Sequence, residues 1–305
     1  MIPDYKFIKI NTNDRLIEQF IEEIILLPRL NILKWSIITK QSSALKIGYA
    51  AQYLASLITG VEGSRSAARG DDLCDGTEVK GCNRIDQLDT CKNCKGKVSR
   101  YESKCFHCNS VNIDRKDDSK WLISIRSEQE LDLYINKINR FLFIIMHYPN
   151  FYKNNFEEIS IQAFEIWPLQ NPEFQQLLKE YYHNIYCEHV RQNPSKTPAP
   201  KNFWPFSFQF YKCKPRKVYD CTILNVNTSP IIQTNFFFPP TQDRSLITPE
   251  AVPFSILSKS EKEIIYQTYN QKFEDNSLIP HNYLDILPLR ETSNPIIHTK
   301  PYSRR

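Results

Sequence analysis

The apolar positions of the first sixty residues recur at helical spacing. Residues 16–25 place Leu, Phe and Ile side chains along one helical face, behind a possible N-terminal cap at Asn13. Residues 44–59 repeat this pattern and stop before Gly60, a residue that suits a helix C-terminus. We therefore predict a helical N-terminal region over residues 1–60.

The middle of the chain alternates strand-like and helix-like segments. Short apolar runs predict buried strands over residues 121–125, 141–146 and 159–167. Amphipathic spacing predicts helices over residues 128–137 and 172–189. This order indicates an α/β (α+β) domain over residues 61–190, with a mixed central sheet flanked by helices.

Prolines and aromatic residues dominate the chain from residue 193 onward. Residues 207–211 and 218–224 could pair as strands, and residues 260–272 predict a helix. We treat residues 191–305 as a third, C-terminal region whose last residues, 301–305, form a loose tail.

Composition narrows the class of protein without identifying it. Hydrophobic residues make up 41% and charged residues 24% of the 305-residue chain, as in ordinary globular proteins. The net charge of +5 is compatible with a phosphate-binding surface, although many enzymes carry the same excess. No apolar run is long enough to span a membrane and the start lacks a secretory pattern, so we expect a cytoplasmic protein. Its nine cysteines should then be thiols or metal ligands rather than disulfides.

Four of these cysteines form two CxxC pairs. Ten residues separate Cys91 and Cys94 from Cys105 and Cys108. Each pair lets two thiolates approach one ion from a tight turn, and two pairs complete the tetrahedral shell of Zn²⁺. Four thiolates leave no open coordination position, so we predict a structural zinc ribbon or knuckle, inserted at about residues 86–116.

An acidic turn precedes the cysteine pairs. Residues 70–80 are GDDLCDGTEVK, in which Asp75-Gly76 is a two-residue hairpin signal. Glu78 and Lys80 are separated by one residue and therefore share one face of a strand. A PD-(D/E)XK nuclease needs two acidic groups that hold Mg²⁺ beside the scissile phosphate, and a lysine that orients the attacking water.

The hairpin register selects the second carboxylate. With a two-residue turn, Asp71 lies opposite Lys80 and joins Glu78 on the same face, whereas Asp72 lies opposite Val79 on the other face. A bulge would reverse this choice. We therefore predict Asp71, Glu78 and Lys80 as the catalytic set and keep Asp72 as the alternative.

The alternative to a catalytic site is a charged, solvent-facing hairpin without a catalytic role. Glu-x-Lys alone carries little information, because it recurs at residues 102–104, with an aspartate version at residues 118–120. An apolar central residue and the preceding turn distinguish the pattern at residues 78–80. Glu62, at the end of the preceding helix, is a further candidate metal ligand.

Residues 70–80, followed directly by the CxxC pairs, resemble the MamI-type type II restriction endonucleases. The resemblance continues through residues 115–121 (RKDDSKW) and 200–205 (PKNFWP) and spans roughly residues 60–215. One departure is that no proline precedes the acidic pair in this chain.

This resemblance implies a PD-(D/E)XK restriction-endonuclease-like core that cuts double-stranded DNA at an interrupted palindrome and uses Mg²⁺. It places the metal-binding carboxylates at Asp71 (or Asp72) and Glu78, and the catalytic lysine at Lys80. A palindromic site is matched most simply by a two-fold homodimer with one active site per strand.

The sequence also offers candidate DNA contacts. Basic residues near the expected cleft are candidate phosphate contacts, namely Arg65, Arg69, Arg84, Lys92 and Arg100. The aromatic run at residues 203–211 is interpreted as core rather than as a DNA-stacking surface. Because the catalytic core is already accounted for, we assign DNA recognition or dimerisation to the C-terminal region.

Two other functions fit the same residues. A structure-specific DNA repair or recombination nuclease would use the same core on branched or mismatched DNA. A non-catalytic zinc-ribbon DNA-binding protein would need only the cysteines, with the acidic turn as a solvated hairpin.

Overall fold

Helices and strands are mixed along the whole chain in the computed structural model, which describes residues 1–39, 41, 48–65, 70–195, 198 and 200–293. The helices are α1 (Asp14–Phe20), α2 (Leu27–Thr39), α3 (Gly48–Thr59), α4 (Glu128–Asp132), α5 (Pro172–Glu180), α6 (Cys187–Gln192), α7 (Phe208–Lys212), α8 (Lys259–Tyr269) and α9 (Arg290–Ser293). The strands are β1 (Thr77–Asn83), β2 (Leu88–Cys91), β3 (Lys97–Ser99), β4 (Ile113–Asp114), β5 (Trp121–Ile123), β6 (Arg140–His147), β7 (Glu158–Ile166), β8 (Lys201–Phe203), β9 (Arg216–Leu224), β10 (Ile231–Phe237), β11 (Val252–Pro253) and β12 (Leu278–Ile279). Three π-helical segments join α1 to α2, extend α4 and join α5 to α6, namely Ile21–Leu26, Leu133–Lys137 and Tyr181–Tyr186.

A five-stranded mixed sheet lies at the centre, in the order β1-β6-β7-β9-β10. β1 runs parallel to β6, and the other neighbouring strands are antiparallel. The predicted strands over residues 141–146 and 159–167 are β6 and β7, and the segment 218–224 lies within β9. The prediction of a mixed central sheet flanked by helices is therefore confirmed.

The sequence of β6 lacks the alternation of apolar and polar residues that is usual in a strand, and its position in the sheet explains why. Phe141, Phe143 and Ile145 pack into the core on one face of the sheet, with residues of α5 and α7. Leu142 and Ile144 pack into the core on the other face, with residues of α1 and α3. A strand that is buried on both faces is apolar at nearly every position.

The first predicted helix begins, and the second ends, at the residue that the sequence indicates, although the first continues beyond residue 25 into α2. Asn13 Oδ1 accepts a hydrogen bond from Leu16 N–H at 3.0 Å at the start of α1, and Gly60 takes a left-handed conformation (φ 68°) after α3. The helices predicted over residues 128–137 and 172–189 are confirmed as α4 and α5–α6 with their π-helical segments. Of the helix predicted over residues 44–59, the first four residues lie outside the described part of the chain.

The strand predicted over residues 207–211 is wrong. This segment forms helix α7, with Ser207 Oγ as the N-cap acceptor for Phe210 N–H. Aromatic residues at alternate positions suggested a two-residue period. Phe208, Gln209 and Phe210 are in fact all buried, and a helix buried on every side has no apolar periodicity. β9 pairs with β7 and β10 instead.

The C-terminal region shares the main core. α8 covers most of the helix predicted over residues 260–272, and Ile265 of α8 packs in the same hydrophobic cluster as Phe174 and Val252. The predicted loose tail at residues 301–305 lies outside the described residues. Within the described ranges, no helix is both long enough and apolar enough to cross a membrane.

Candidate active site and metal centre

β1 is an edge strand that begins directly after a tight turn. Leu73 and Thr77 form the bridge that closes this turn, so three residues and not two lie between the paired positions. The predicted register, which put Asp71 on the face of Glu78, is therefore wrong. One extra turn residue shifts the register so that Asp72 lies opposite Glu78.

Asp72 is fixed against the edge of β1 by two hydrogen bonds. Its Oδ2 accepts from the backbone N–H of Val79 at 2.7 Å, and its Oδ1 accepts from the side-chain amide of Gln52 at 2.7 Å. The carboxylate therefore occupies the position that a neighbouring strand would take at this edge.

Glu78 and Lys80 project from the same face of β1. Glu78 is buried, with Oε1 2.5 Å from Lys80 Nζ and Oε2 accepting from Gly70 N–H at 2.5 Å. Gly70 has a φ of 83°, a conformation that favours glycine and turns its N–H toward the carboxylate. The Lys80 side chain is 20% exposed, so solvent or a ligand can approach its ammonium.

Two carboxylates and one ammonium share this site. Partial burial raises the pKa of Asp72, and the hydrogen bond from Val79 N–H opposes this. The charge of Glu78 raises the pKa of Asp72 further, and Lys80 lowers it. The two carboxylates are therefore close enough to repel each other, and a bound cation would relieve that repulsion. Carboxylate oxygens are ligands that Mg²⁺ prefers, so the donor set fits this metal.

Helix α3 supplies a site residue that the sequence did not reveal. Gln52 lies on α3 and holds Asp72. α3 packs tightly on β1, because a Cβ at Gly81 would come within 2.8 Å of Ala51 Cβ. Gln52 is uncharged and belongs to no motif, so its apolar neighbours could predict a helix there but not a role for the amide.

The other acidic candidates have different surroundings. Asp71 and Glu62 are exposed. Asp75 is a structural turn residue, with Oδ1 accepting from Thr77 N–H at 3.1 Å and Oδ2 paired with the buried Arg140 at 2.8 Å. The structure therefore places Asp72, rather than Asp71, beside the Glu-x-Lys pair.

The four motif cysteines converge on one point. The Sγ atoms of Cys91, Cys94, Cys105 and Cys108 all lie within 4.8 Å of one another. Cys91 Sγ is 3.6 Å from Cys108 Sγ, and Cys94 Sγ is 3.5 Å from Cys105 Sγ. In a tetrahedral shell with Zn–S bonds of about 2.3 Å, sulfur atoms lie about 3.8 Å apart. The cluster therefore has the size of a four-thiolate zinc site.

The two CxxC turns share one backbone geometry. Lys95 N–H donates to the Cys91 carbonyl in the first turn, and Asn109 N–H donates to the Cys105 carbonyl in the second. Lys95 and Asn109 both have a positive φ, of 61° and 55°. A backbone hydrogen bond from Cys94 lowers the pKa of Cys91 to about 6. A backbone hydrogen bond from Gly96 lowers the pKa of Cys94, but hydrogen bonds with Cys105, Cys108 and Cys91 outweigh it and raise that pKa to about 12. Cys91 is therefore the thiol of this pair that loses its proton first.

Buried arginines join the segment that carries the four cysteines, about residues 86–116, to the main sheet; we call this segment the cysteine module. Arg100 pairs with Asp89 at 2.9 Å, donates to the Arg84 carbonyl at 2.8 Å and lies 4.8 Å from the Phe151 ring centre. Arg84 pairs with Asp117 at 3.0 Å. The prediction that Arg84 and Arg100 contact phosphate is wrong, because both side chains are buried and neutralised by carboxylates.

The remaining predictions of DNA contact have mixed outcomes. Arg65 and Lys92 are exposed, as a phosphate contact requires, and Arg69 lies outside the described residues. The aromatic run is core, as predicted, since Phe203 and Phe210 are fully buried.

Comparison with known proteins defines the class of this chain. The family model of the MamI restriction endonuclease matches residues 34–255, which include the acidic turn, β1 and all four motif cysteines. The chain therefore belongs to the MamI restriction endonuclease family, as the residues around 70–80 and the CxxC pairs predicted. The match extends beyond the predicted span of residues 60–215 at both ends.

Part of the chain is also similar to one particular restriction enzyme. The type II restriction enzyme MamI of Microbacterium ammoniaphilum is 41% identical to this chain over 56 residues. The aligned segment covers 18% of this chain and 18% of the relative. No solved structure matches the chain.

Proposed function

We propose that this protein is a type II restriction endonuclease, which hydrolyses phosphodiester bonds of double-stranded DNA at a specific site. The observation that carries the proposal is the convergence of Asp72, Glu78 and Lys80 at the edge of β1 in a member of this family. Two carboxylates and a lysine at the edge of a mixed sheet fit the active site of a PD-(D/E)XK nuclease.

Each residue of this set has its own role. Asp72 and Glu78 would hold Mg²⁺, and hydrogen bonds from Gln52 and Gly70 orient their carboxylates. Bound Mg²⁺ stabilises negative charge on the phosphate and lowers the pKa of a bound water. Lys80 adds a positive charge at this position and orients the attacking water.

The family likeness supports the nature of the substrate. Hydrolysis by water would leave 5′-phosphate and 3′-hydroxyl ends, and the expected target is an interrupted palindrome. The cysteine module would hold Zn²⁺ in a structural role, because four thiolates fill the coordination shell.

Digestion of a long, unmethylated duplex DNA in Mg²⁺ tests the proposal. We expect wild type to produce discrete fragments and Lys80→Ala to cut at least about 10²-fold more slowly, the loss typical of one group that stabilises transition-state charge. Lys80→Ala should still bind DNA. Lys104→Ala is the matched control, because it removes the lysine of the second Glu-x-Lys pattern and should cut like wild type.

The alternative functions give different results in the same assay. Cleavage confined to branched or mismatched DNA would indicate a structure-specific nuclease. DNA binding without cleavage of any substrate would refute the proposal and indicate a zinc-ribbon binding protein. Equal loss of activity in Lys104→Ala would show that the assay does not report on the β1 site.

A further inference from the structure

Helix α2 turns polar side chains toward the core of the molecule. Its buried positions are Arg29, Leu33 and Ser36. Arg29 donates to Tyr148 Oη at 2.9 Å and to the Val226 carbonyl at 3.1 Å. A surface helix normally buries an apolar stripe and exposes its polar face. In α2, two of the three buried positions are polar.

The outward face of α2 carries large apolar side chains. Leu27, Trp35 and Ile38 are 46%, 58% and 59% exposed, and the exposed Asn31 lies between them. At about 100° per residue, these four positions fall within an arc of roughly 80°. Ile24 of the preceding π-helical segment is also exposed and lengthens this surface, which we call the α2 stripe. Exposed apolar patches of this kind are typical of interaction sites.

The spacing of the α2 stripe is symmetric about Asn31. Within α2, Leu27 and Trp35 lie four residues from Asn31 on either side. A two-fold axis at Asn31 would therefore place Leu27 opposite Trp35 of an antiparallel second copy. Asn31 would meet its own counterpart. In helix pairs, a single polar residue of this kind in an apolar seam specifies the register.

The charges of the helix favour the same partner. Exposed Glu23 lies directly before the stripe begins, and exposed Lys34 lies in its second half. Antiparallel copies bring the acidic end of each helix toward the basic half of the other, whereas parallel copies place like charges side by side. A two-fold contact uses the same surface on both subunits, so that surface must be self-complementary.

We infer that the α2 stripe is a homodimer interface and that its occupant is the α2 stripe of a second copy of this chain. The inference rests on the exposed side chains, the spacing and the charges of α2. Its consequence for DNA, one active site for each strand, rests on the proposed function.

Sedimentation velocity of the full chain at micromolar concentration tests the inference. We expect a dimer for wild type, and a monomer for Ile38→Asp with the dissociation constant raised at least 100-fold. Ile37→Asp is the matched control, because Ile37 is 57% exposed on the same helix but lies about 100° away from Ile38. It should dimerise like wild type. Asn31→Asp is a milder second disruption, since it places two negative charges on the axis, and circular dichroism verifies that each variant is folded.

Several results would overturn the inference. They are a wild type that is monomeric both alone and on duplex DNA, an Ile38→Asp or Asn31→Asp dimer as tight as wild type, and equal weakening by Ile37→Asp. The proposed function fails separately. A dimer that cuts no DNA would refute the nuclease activity but not the interface. A monomer that cuts DNA would refute the interface but not the nuclease activity.

Discussion

At the scale of single residues, the choice between two adjacent aspartates decides the chemistry of the site. Asp72 is partly buried next to Glu78, and Asp71 is exposed. We predict that Asp72→Asn lowers the cleavage rate by about 10²-fold or more, because it removes a metal-binding charge, while Asp71→Asn has little effect. Cleavage rates of the two variants at equal Mg²⁺ concentration measure this difference. The reverse ranking would contradict the register seen in the structure.

The same substitution has a pH-dependent effect on stability. The pKa of Asp72 is raised in the folded chain, so protonation of Asp72 favours folding and ionisation opposes it. Asn removes this charge, and the Gln52 amide can rotate to accept from it. We therefore expect Asp72→Asn to melt above wild type at pH 8, with an advantage that shrinks as the pH falls below the pKa of Asp72. An advantage that grows on acidification would contradict the assignment.

At the scale of an element, the cysteine module is too small to fold by itself. Its buried hydrophobic core consists of Cys91, Val98 and Cys105, so we expect a bound metal to supply most of its stability. We predict one Zn²⁺ per chain in wild type and loss of that zinc in Cys94→Ser, measured by elemental analysis. Limited proteolysis should then cut Cys94→Ser between β3 and β4. Cys187→Ser, at a partly exposed thiol outside the module, should keep its zinc; equal loss of zinc there would contradict the assigned ligands.

Elements also show how far the sequence could be interpreted. Both β6 and α5 were predictable from their apolar positions. β6 is buried on both faces and is apolar at nearly every residue, whereas α5 is buried on one face and is apolar at helical spacing. The turn before β1 was predictable as a turn but not in its length, since Asp-Gly does not fix how many residues the turn contains. The one additional residue in the turn places Asp72, and not Asp71, beside Glu78. The buried Arg100 was misjudged because a sequence gives the charge of a side chain and not the carboxylate that neutralises it.

At the scale of the whole molecule, a buried ion pair holds helix α9 against strand β8, which itself pairs with β5. Lys201 of β8 and Glu291 of α9 form this pair, and Gln209 donates to Glu291 at 3.0 Å. Burial lowers the pKa of Lys201, and Glu291 opposes this. We predict that Glu291→Ala costs about 3–5 kcal/mol in the free energy of unfolding, because it leaves a buried charge unpaired.

Chemical denaturation of matched variants measures this cost. Asp275→Ala breaks the more exposed Lys262–Asp275 pair and should cost about 0–1 kcal/mol. The double variant Lys201→Met/Glu291→Leu should recover most of the stability lost by Glu291→Ala, since it removes both charges together. A loss no larger in Glu291→Ala than in Asp275→Ala would show that the pair does not hold α9 in place.

The anchorage of Arg100 also determines which parts of the molecule the cysteine module contacts. Arg100 fixes the cysteine module to the turn between β6 and β7, and Tyr101 Oη lies 3.4 Å from Ser36 Oγ of α2. The module therefore contacts both the β6–β7 turn and α2. In a dimer joined through α2, this contact would set the distance between the two cysteine modules. A duplex that touches both modules must present its half-sites at that separation, so the protein would select the length of the spacer before it reads any base.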